Sequence, residues 1–278
     1  MRALITGGNG FIGANFLIQH QENFQYIVNL DNLSYAANTN LNSFLKPKTN
    51  YKFIEGCITD ETLVPKILEE FAIDCVINFA AETHVDRSIL SAKKFVQTNV
   101  LGTYNLINHS KNYIKKYKKT DFKFLQISTD EVYGTLEPDQ CPFSEKSPLA
   151  PNNPYSATKA SSEMLCRSYH QTHNFPVIIV NCSNNYGPFQ HWEKFIPTLI
   201  KNAIMDKPLP IYGKGLQIRD WLFVTDNCKA LFAIIRNGST GEKYNVGGAT
   251  QITNIELAKT VCNILDEVYP KDVGHHSD

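Results

Sequence analysis

The chain carries no net charge: lysine plus arginine and aspartate plus glutamate each number 27 among its 278 residues. That balance offers no electrostatic footing for nucleic acid or an acidic membrane. No stretch of 18 apolar residues is present, which argues against a membrane-spanning helix. The opening "MRALITGG" enters a strand pattern directly, without the apolar core of a signal peptide. Internal repeats and low-complexity segments are absent. The seven cysteines (57, 75, 141, 166, 182, 228 and 262) are odd in number, widely spaced and contain no C-x-x-C. They read as reduced, mostly core residues of a cytoplasmic protein. No His or Cys pair stands at ligand spacing, so no metal site is expected; the adjacent His275 and His276 fall in a polar tail.

What is present is regular. A chain of this length buries roughly three quarters of its unfolded surface, enough for one large α/β domain with a smaller lobe. Short apolar runs ("RALIT", "QYIVNLD", "YKFIEG", "DCVINFAA", "FKFLQIS", "FPVIIVNCS") alternate with helical patterns such as "AKKFVQTNVLGTYNLINHSKNYIKKY". Runs of that kind are strands buried on both faces, and the alternation predicts a Rossmann-type, doubly wound parallel sheet. The basic stretch "KNYIKKYKK" (111–119) reads as the solvated end of a helix. From about residue 186 the texture turns to proline, glycine and aromatics, with helical patterns returning at 225–236 and 254–268. Residues 1–185 are expected to form the dinucleotide-binding domain and 186–278 a smaller substrate lobe, with a soft boundary that strands and loops can cross.

"ITGGNGFIG" places Gly7, Gly10 and Gly13 directly after the first strand. Gly7 permits the tight turn, Gly10 lets backbone approach a pyrophosphate and Gly13 lets the helix pack closely. The first amides of that helix then face the phosphates. The second strand ends in Asp31, 18 residues beyond Gly13, close to the ~20 residues that separate this glycine turn from its ribose-binding acid. A carboxylate there accepts from both ribose hydroxyls and repels a 2′-phosphate, so NAD is expected rather than NADP. The alternative is a glycine turn and an unrelated surface Asp.

"NNPYSATKA" carries Tyr155 and Lys159 at i and i+4, one above the other on a helix that starts at Pro154. An ammonium there stabilises tyrosinate and is expected to lower the phenol from its usual ~10 toward neutrality. Tyr155 then becomes a base for a substrate hydroxyl whose hydride leaves for NAD. The run "QISTDEVYG" (126–134) ends a strand in two adjacent acids, Asp130 and Glu131. One reading has Asp130 capping a turn and Glu131 in solvent. The other has both serving a substrate, which requires the chain to leave the strand at Thr129, because neighbours on a regular strand point to opposite faces.

The ordered set "TGGNGFIG", "NFAAETHVDRS", "ISTDEVYG", "YSATK", "NCSNNYGP", "EKFIP", "LPIYGKGLQIRDW" and "YNVGG" resembles the nucleotide-sugar 4,6-dehydratases, the dTDP-glucose type above all, within the extended short-chain dehydrogenase/reductase superfamily. It covers the chain to about residue 268. The resemblance implies oxidation of a hexose at carbon 4, loss of water across carbons 5 and 6, and return of the hydride to carbon 6. In that scheme Glu131 takes the proton from carbon 5, Asp130 protonates the departing 6-hydroxyl and Thr129 hydrogen-bonds the carbon 4 oxygen beside Tyr155. Partial burial beside Glu131 is expected to raise the Asp130 carboxyl. By the same resemblance Phe11 and Ile12 line the cofactor's diphosphate and Ile58 its adenine side, with Asn32, next to Asp31, a further cofactor-binding residue. Ala80, Ala81 and Thr98 border its nicotinamide half. Thr83 stands where the family usually has Ser and keeps the hydroxyl needed for the sugar; Asn184 meets the substrate and Asn185 the cofactor. Lys194, Tyr212, Arg219 and Asn245 hold the nucleotide diphosphate, Arg219 through its fork of donors, with pairing to Asp220 as its alternative. His84 and Asp86 are read as structural, Trp192 and Trp221 as packing residues. A homodimer through the helices near 91–117 and 156–172 is also implied.

Two departures stand out. The family's third strand ends in Gly-Asp, where this chain has Cys57, and the lost hydrogen bond costs about 1–2 kcal/mol of cofactor binding. The family also continues for several tens of residues beyond "VYPKDVGHHSD", with a segment that clamps the nucleotide, so a shortened substrate lobe is expected. Two alternatives remain open: a 4-epimerase or decarboxylase of the same superfamily, which needs no elimination pair, and a non-catalytic nucleotide-sugar-binding subunit.

Overall fold

The computed structural model describes residues 1–45, 49–136, 140–271 and 274–276. Its centre is a seven-stranded, wholly parallel sheet in the order β3-β2-β1-β4-β5-β6-β9. The strands are β1 (Arg2–Thr6), β2 (Tyr26–Asp31), β3 (Tyr51–Glu55), β4 (Cys75–Asn78), β5 (Lys123–Thr129), β6 (Val177–Cys182) and β9 (Lys243–Val246). Each of the six apolar runs became a strand. β4 and β6 are buried along their whole length, as strands covered on both faces must be. The order reverses between β1 and β4, and a doubly wound sheet opens its ligand crevice at that point, beyond the carboxyl ends of the strands.

One face of the sheet is covered by α1 (Phe11–His20) and α8 (Val224–Asn237), with Phe16, Leu17, Cys228 and Leu231 in the core. The other is covered by α2 (Leu63–Glu70), α5 (Thr103–Tyr117) and α6 (Pro154–His173), which contribute Ile67, Leu106, Ile107 and Cys166. The chain crosses the 185/186 boundary: α8 packs on α1, and β9 completes the large sheet beside β6. The remaining lobe holds α7 (Phe195–Ile204) and α9 (Asn254–Val268) around Leu199, Ala203, Val261 and Leu265. A second sheet, β10-β8-β7, joins the lobe to the cleft through β7 (Asn184–Tyr186), β8 (Ile218–Phe223) and β10 (Gln251–Thr253).

The long helical pattern from residue 93 is interrupted. After α3 (Val85–Leu90), the short α4 (Lys93–Phe95) runs into a π-helical stretch, Val96–Gly102, before α5 resumes. Such stretches are uncommon and gather at functional sites; this one carries Thr98 and Asn99. α5 ends at Lys118 in the left-handed conformation, φ 51°. Its basic end is not merely solvated: Lys116 pairs with Glu69 and Lys119 with Asp74, both at 2.8 Å.

Two further expectations need correction. His276 is not in a polar tail; it is 5% exposed, with Nδ1 3.1 Å from the Ala203 carbonyl and Nε2 2.7 Å from that of Tyr269. Trp221 packs against Phe195, but Trp192 is 60% exposed, and Lys201 sits over its ring at 4.4 Å.

Candidate active site

A cleft of about 300 Å³ opens above the carboxyl ends of β1, β4, β5 and β6. Its first wall is the glycine turn. Gly7 has φ +69°, and a Cβ there would lie 2.5 Å from the Ala80 nitrogen; no other residue fits that turn. A Cβ on Gly13 would collide with the Gly7 carbonyl, whereas one on Gly10 would meet only that carbonyl, at 3.2 Å. Gly10 is also the N-cap of α1 and supplies no side-chain cap, so the first amides of a ten-residue helix face the cleft beside Phe11 and Ile12. Asp31 and Asn32 follow at the end of β2. Asp31 is 7% exposed and accepts from the Asn9 and Leu33 amides at 2.8 and 2.9 Å. Burial raises its carboxyl above the usual range, partly offset by those two bonds. Ile58 and Cys57 border the same end, and the Cys57 sulfur accepts from the Thr59 hydroxyl at 3.0 Å.

The opposite wall comes from β4, β5 and α6. Ala80, Ala81 and Thr83 follow β4, with Thr98 behind them on the π-helical stretch. At Thr129 the chain leaves β5 and turns at once into a single 3₁₀ turn, Asp130–Tyr133. The condition for two adjacent acids to share one substrate is therefore met: Thr129, Asp130 and Glu131 all line the cleft. Gly134 releases the chain at φ +92°, where a Cβ would strike the Ala150 carbonyl. Asp130 is pushed up to about 6, first by burial and then by the neighbouring Glu131 charge, against a 3.3 Å hydrogen bond from Thr129.

α6 begins at Pro154 behind a capping box in which Asn153 accepts from the Ser156 amide at 2.8 Å. That start places Tyr155 and Lys159 on the cleft face. The Tyr155 phenol and Thr129 line the cleft together. The expected depression of Tyr155 by Lys159 is not what the structure shows. Burial, then the Glu131 charge, drive the phenol far above its ordinary value. Lys159 is turned to the Ile127 carbonyl at 2.6 Å. Its own ammonium is pushed down to about 8 by burial, with the Glu163 carboxylate pulling it back up.

From the lobe side come Asn184, Asn185 and Lys194. Lys194 donates to the Thr83 carbonyl at 3.0 Å, and burial lowers its ammonium. Tyr212, Arg219 and Asn245 do not line the cleft. Tyr212 is 71% exposed and donates to Asp86 at 3.2 Å. The Asn245 side chain accepts from the Tyr133 hydroxyl at 2.7 Å, and its amide is held by Glu145. Arg219 bonds the Ile218 carbonyl and reaches Asp130 only through its charge. Its alternative pairing with Asp220 does not form either, because that carboxylate takes the Gly248 and Thr250 amides.

Three contributors were not singled out from sequence. Asn153 donates to the Glu131 carboxylate at 3.2 Å; its place before proline marks a cap, but nothing marks that reach. Asn99, 1% exposed, holds the Glu82 backbone and the Thr158 hydroxyl, which fixes the wall after β4 against α6. Glu193 accepts from Tyr35 at 2.7 Å and Arg87 at 3.0 Å, and so straps the loop after β2 to the lobe across the cleft mouth.

The residues fit a dinucleotide. The glycine cradle, the uncapped helix start and Asp31 stand in the order such a cofactor requires. Two buried polar atoms on the cleft wall, Ser183 Oγ and Asn185 Oδ1, have no protein partner.

A family model described as GDP-mannose 4,6 dehydratase matches residues 4–277. The dTDP-glucose 4,6-dehydratase of Haemophilus influenzae is 47% identical over 281 residues, which cover 99% of this chain and 82% of that protein. Among solved structures, the dTDP-glucose 4,6-dehydratase of Bacillus anthracis in complex with NAD superposes with a TM-score of 0.85 at 41% identity, over 95% of this chain and 81% of that one. That of Streptomyces venezuelae with NAD and TYD bound reaches 0.89 at 37% identity, over 98% and 82%.

Proposed function

The chain belongs to the GDP-mannose 4,6 dehydratase family, and we propose that within it the protein is an NAD-dependent dTDP-glucose 4,6-dehydratase, a hydro-lyase that yields the 4-keto-6-deoxy sugar. One observation carries this reading: Thr129, Asp130 and Glu131 leave the strand together and face Tyr155 and Lys159 inside one cleft. The glycine turn and Asp31 would hold NAD, which would supply hydride acceptance at carbon 4 and hydride donation at carbon 6.

The side chains perform the proton transfers. Tyr155 takes the proton of the 4-hydroxyl, and Thr129, on the same wall of the cleft, steadies the carbon 4 oxygen. Forming tyrosinate in a buried site needs a nearby cation, and Lys159 at i+4 is placed to swing toward it from the Ile127 carbonyl. Oxidation at carbon 4 acidifies the hydrogen on carbon 5, which Glu131 removes. Asp130, raised to about 6, is the carboxyl better suited to give a proton to the leaving 6-hydroxyl. An epimerase has no use for that pair, and a binding-only subunit has no use for the assembled five. Asn184 and Lys194 are assigned to the sugar nucleotide. Tyr212, Arg219 and Asn245 are assigned to its diphosphate side, which requires Tyr212, in the segment before β8, to leave its contact with Asp86.

A second copy is proposed to cover the apolar side chains Leu90, Val96, Leu101 and Met164 on the helices near 91–117 and 156–172. The seven cysteines, all free, support a reducing, cytoplasmic setting. No helix among the described residues is long and apolar enough to cross a membrane.

Mass spectrometry after incubation with dTDP-glucose and, separately, UDP-glucose tests the assignment. Loss of one water from dTDP-glucose is expected; an unchanged mass with NAD supplied would refute it. Gly7→Ala is expected to abolish NAD binding in calorimetry and to cost about 2 kcal/mol of stability, since its turn admits no side chain. Unchanged NAD affinity would show that the turn yields.

A further inference from the structure

Below the cleft floor lies a buried ionic cluster that the roles above do not use. Glu163 sits one helical turn beyond Lys159 on α6 and is 0% exposed. Its Oε1 accepts from the Ser128 hydroxyl and, at 2.7 Å, from Asn181. Its Oε2 stands 2.8 Å from the ammonium of Lys243 on β9. Asn181 also donates to the Thr129 carbonyl at 2.9 Å, and Lys159 to that of Ile127 at 2.6 Å. The last three residues of β5 are thus each held from beneath by α6 or by the amide that Glu163 orients. A buried carboxylate is costly even when paired, and an apolar side chain is often at least as stable in its place. Its presence under this strand end calls for a reason other than packing.

We propose that Glu163, paired with Lys243, is a positioning residue for the reaction: it sets the corner from which Thr129, Asp130 and Glu131 enter the cleft and supplies the counter-charge for Lys159. This inference rests on the dehydratase reading. The groups facing the pair are few. From α6 come Lys159 and Cys166; from β6, Asn181 on Glu163, with Cys182 facing Lys159; from the turn after β5, the Tyr133 ring, which lies 5.2 Å from the Lys243 ammonium; and from the segment before α6, the Glu145 carboxylate, which acts on Lys243 through its charge. Lys159 is the only other cation among them. Removing the carboxylate destabilises its charged form. Removing Lys243 is expected to have the opposite effect, since it leaves Lys159 as the remaining cation beside Glu163.

The two substitutions must therefore move Lys159 in opposite directions, which a merely structural role would not do. The test is an NMR pH titration of the full chain carrying ¹³Cε-labelled lysine, with the Lys159 signal assigned through Lys159→Met. In the native chain its midpoint is expected near 8. Glu163→Gln should lower that midpoint by about one unit, Lys243→Met should raise it, and Glu163→Asp should restore most of the native value. In turnover of dTDP-glucose, Glu163→Gln should lower kcat about tenfold, keep KM within about twofold and bring the alkaline limb to lower pH. Lys159 midpoints that coincide in the native chain, Glu163→Gln and Lys243→Met would overturn the proposal. Should Glu163→Gln not fold, the direction of the shift in Lys243→Met decides. If the native protein does not act on dTDP-glucose, the function assigned above fails while the titration still judges this pair.

Discussion

Glu131→Gln is expected to lower kcat for dTDP-glucose by about 10³-fold, within the range for a lost general base, with little change in affinity for NAD or the sugar nucleotide. Glutamine keeps the size of the side chain and an acceptor for the Asn153 amide, which bonds Glu131 at 3.2 Å, so the turn should persist. It cannot take the proton from carbon 5. Oxidation at carbon 4 calls on Tyr155, Thr129, Lys159 and the cofactor but not on Glu131, so the variant should halt after that step. Reduced nicotinamide should build up in a single turnover, seen by absorbance, with no mass loss in the sugar. Tyr155→Phe should instead show neither reduced cofactor nor product. Water loss at the native rate in Glu131→Gln would remove Glu131 from the mechanism and return the two acids to a capping role.

Asp130→Asn should separate activity from stability. The Asp130 carboxyl is held near 6 in the folded chain against an ordinary 3.8, mainly by burial and then by Glu131. Between about pH 4 and 6 the native state therefore binds more protons than the unfolded one, and stability falls as pH rises through that window. The favourable contribution is fully present below about 4 and lost above about 6. A shift of this size corresponds to about 2–3 kcal/mol. Asparagine carries no charge to bury, so the variant should melt about 5 °C above the native chain at pH 7, with the gap closing near pH 4. Its kcat should fall about 10²-fold, because no proton reaches the leaving hydroxyl. Equal melting temperatures at pH 7 would show that Asp130 ionises without penalty and lacks the raised carboxyl its acid role needs.

The native chain thus carries a destabilising charge where the reaction needs a proton donor, a common trade between stability and activity. The same acid predicts that kcat declines as pH rises well above 6, provided Asp130 remains the donor with substrate in place.

How much was legible follows from the range of each signal. The glycine turn, Asp31 and the six strands are local patterns whose spacing alone carries their meaning, and all took their expected places. The 3₁₀ turn after Thr129 could be posed only as a condition, since a run of acids after a strand does not say which way they face. The π-helical stretch was invisible, because its residues keep a helical composition while the hydrogen-bond register slips. Tyr212, Arg219 and Asn245 carried the right residue types but sit outside the cleft, tied to or facing neighbours that only the packed lobe brings near. Glu193 was passed over for a similar reason: its partners Tyr35 and Arg87 are 158 and 106 residues away in sequence.

The sequence by itself determined the doubly wound sheet and the glycine turn followed by Asp31, because each rests on short-range periodicity or spacing; the five side chains proposed to react were named through the resemblance to the dehydratases. The raised Asp130 carboxyl was also expected, whereas tertiary structure alone decided the electrostatics of Tyr155 and Lys159. Burial, not the i+4 lysine, governs the Tyr155 phenol; burial also raises Asp130; and Glu163 with Lys243 comes to lie beneath Lys159 only when β9 docks beside β6. A charge's behaviour depends on how much water it keeps and which distant groups replace that water, and a linear order of residues does not contain either quantity.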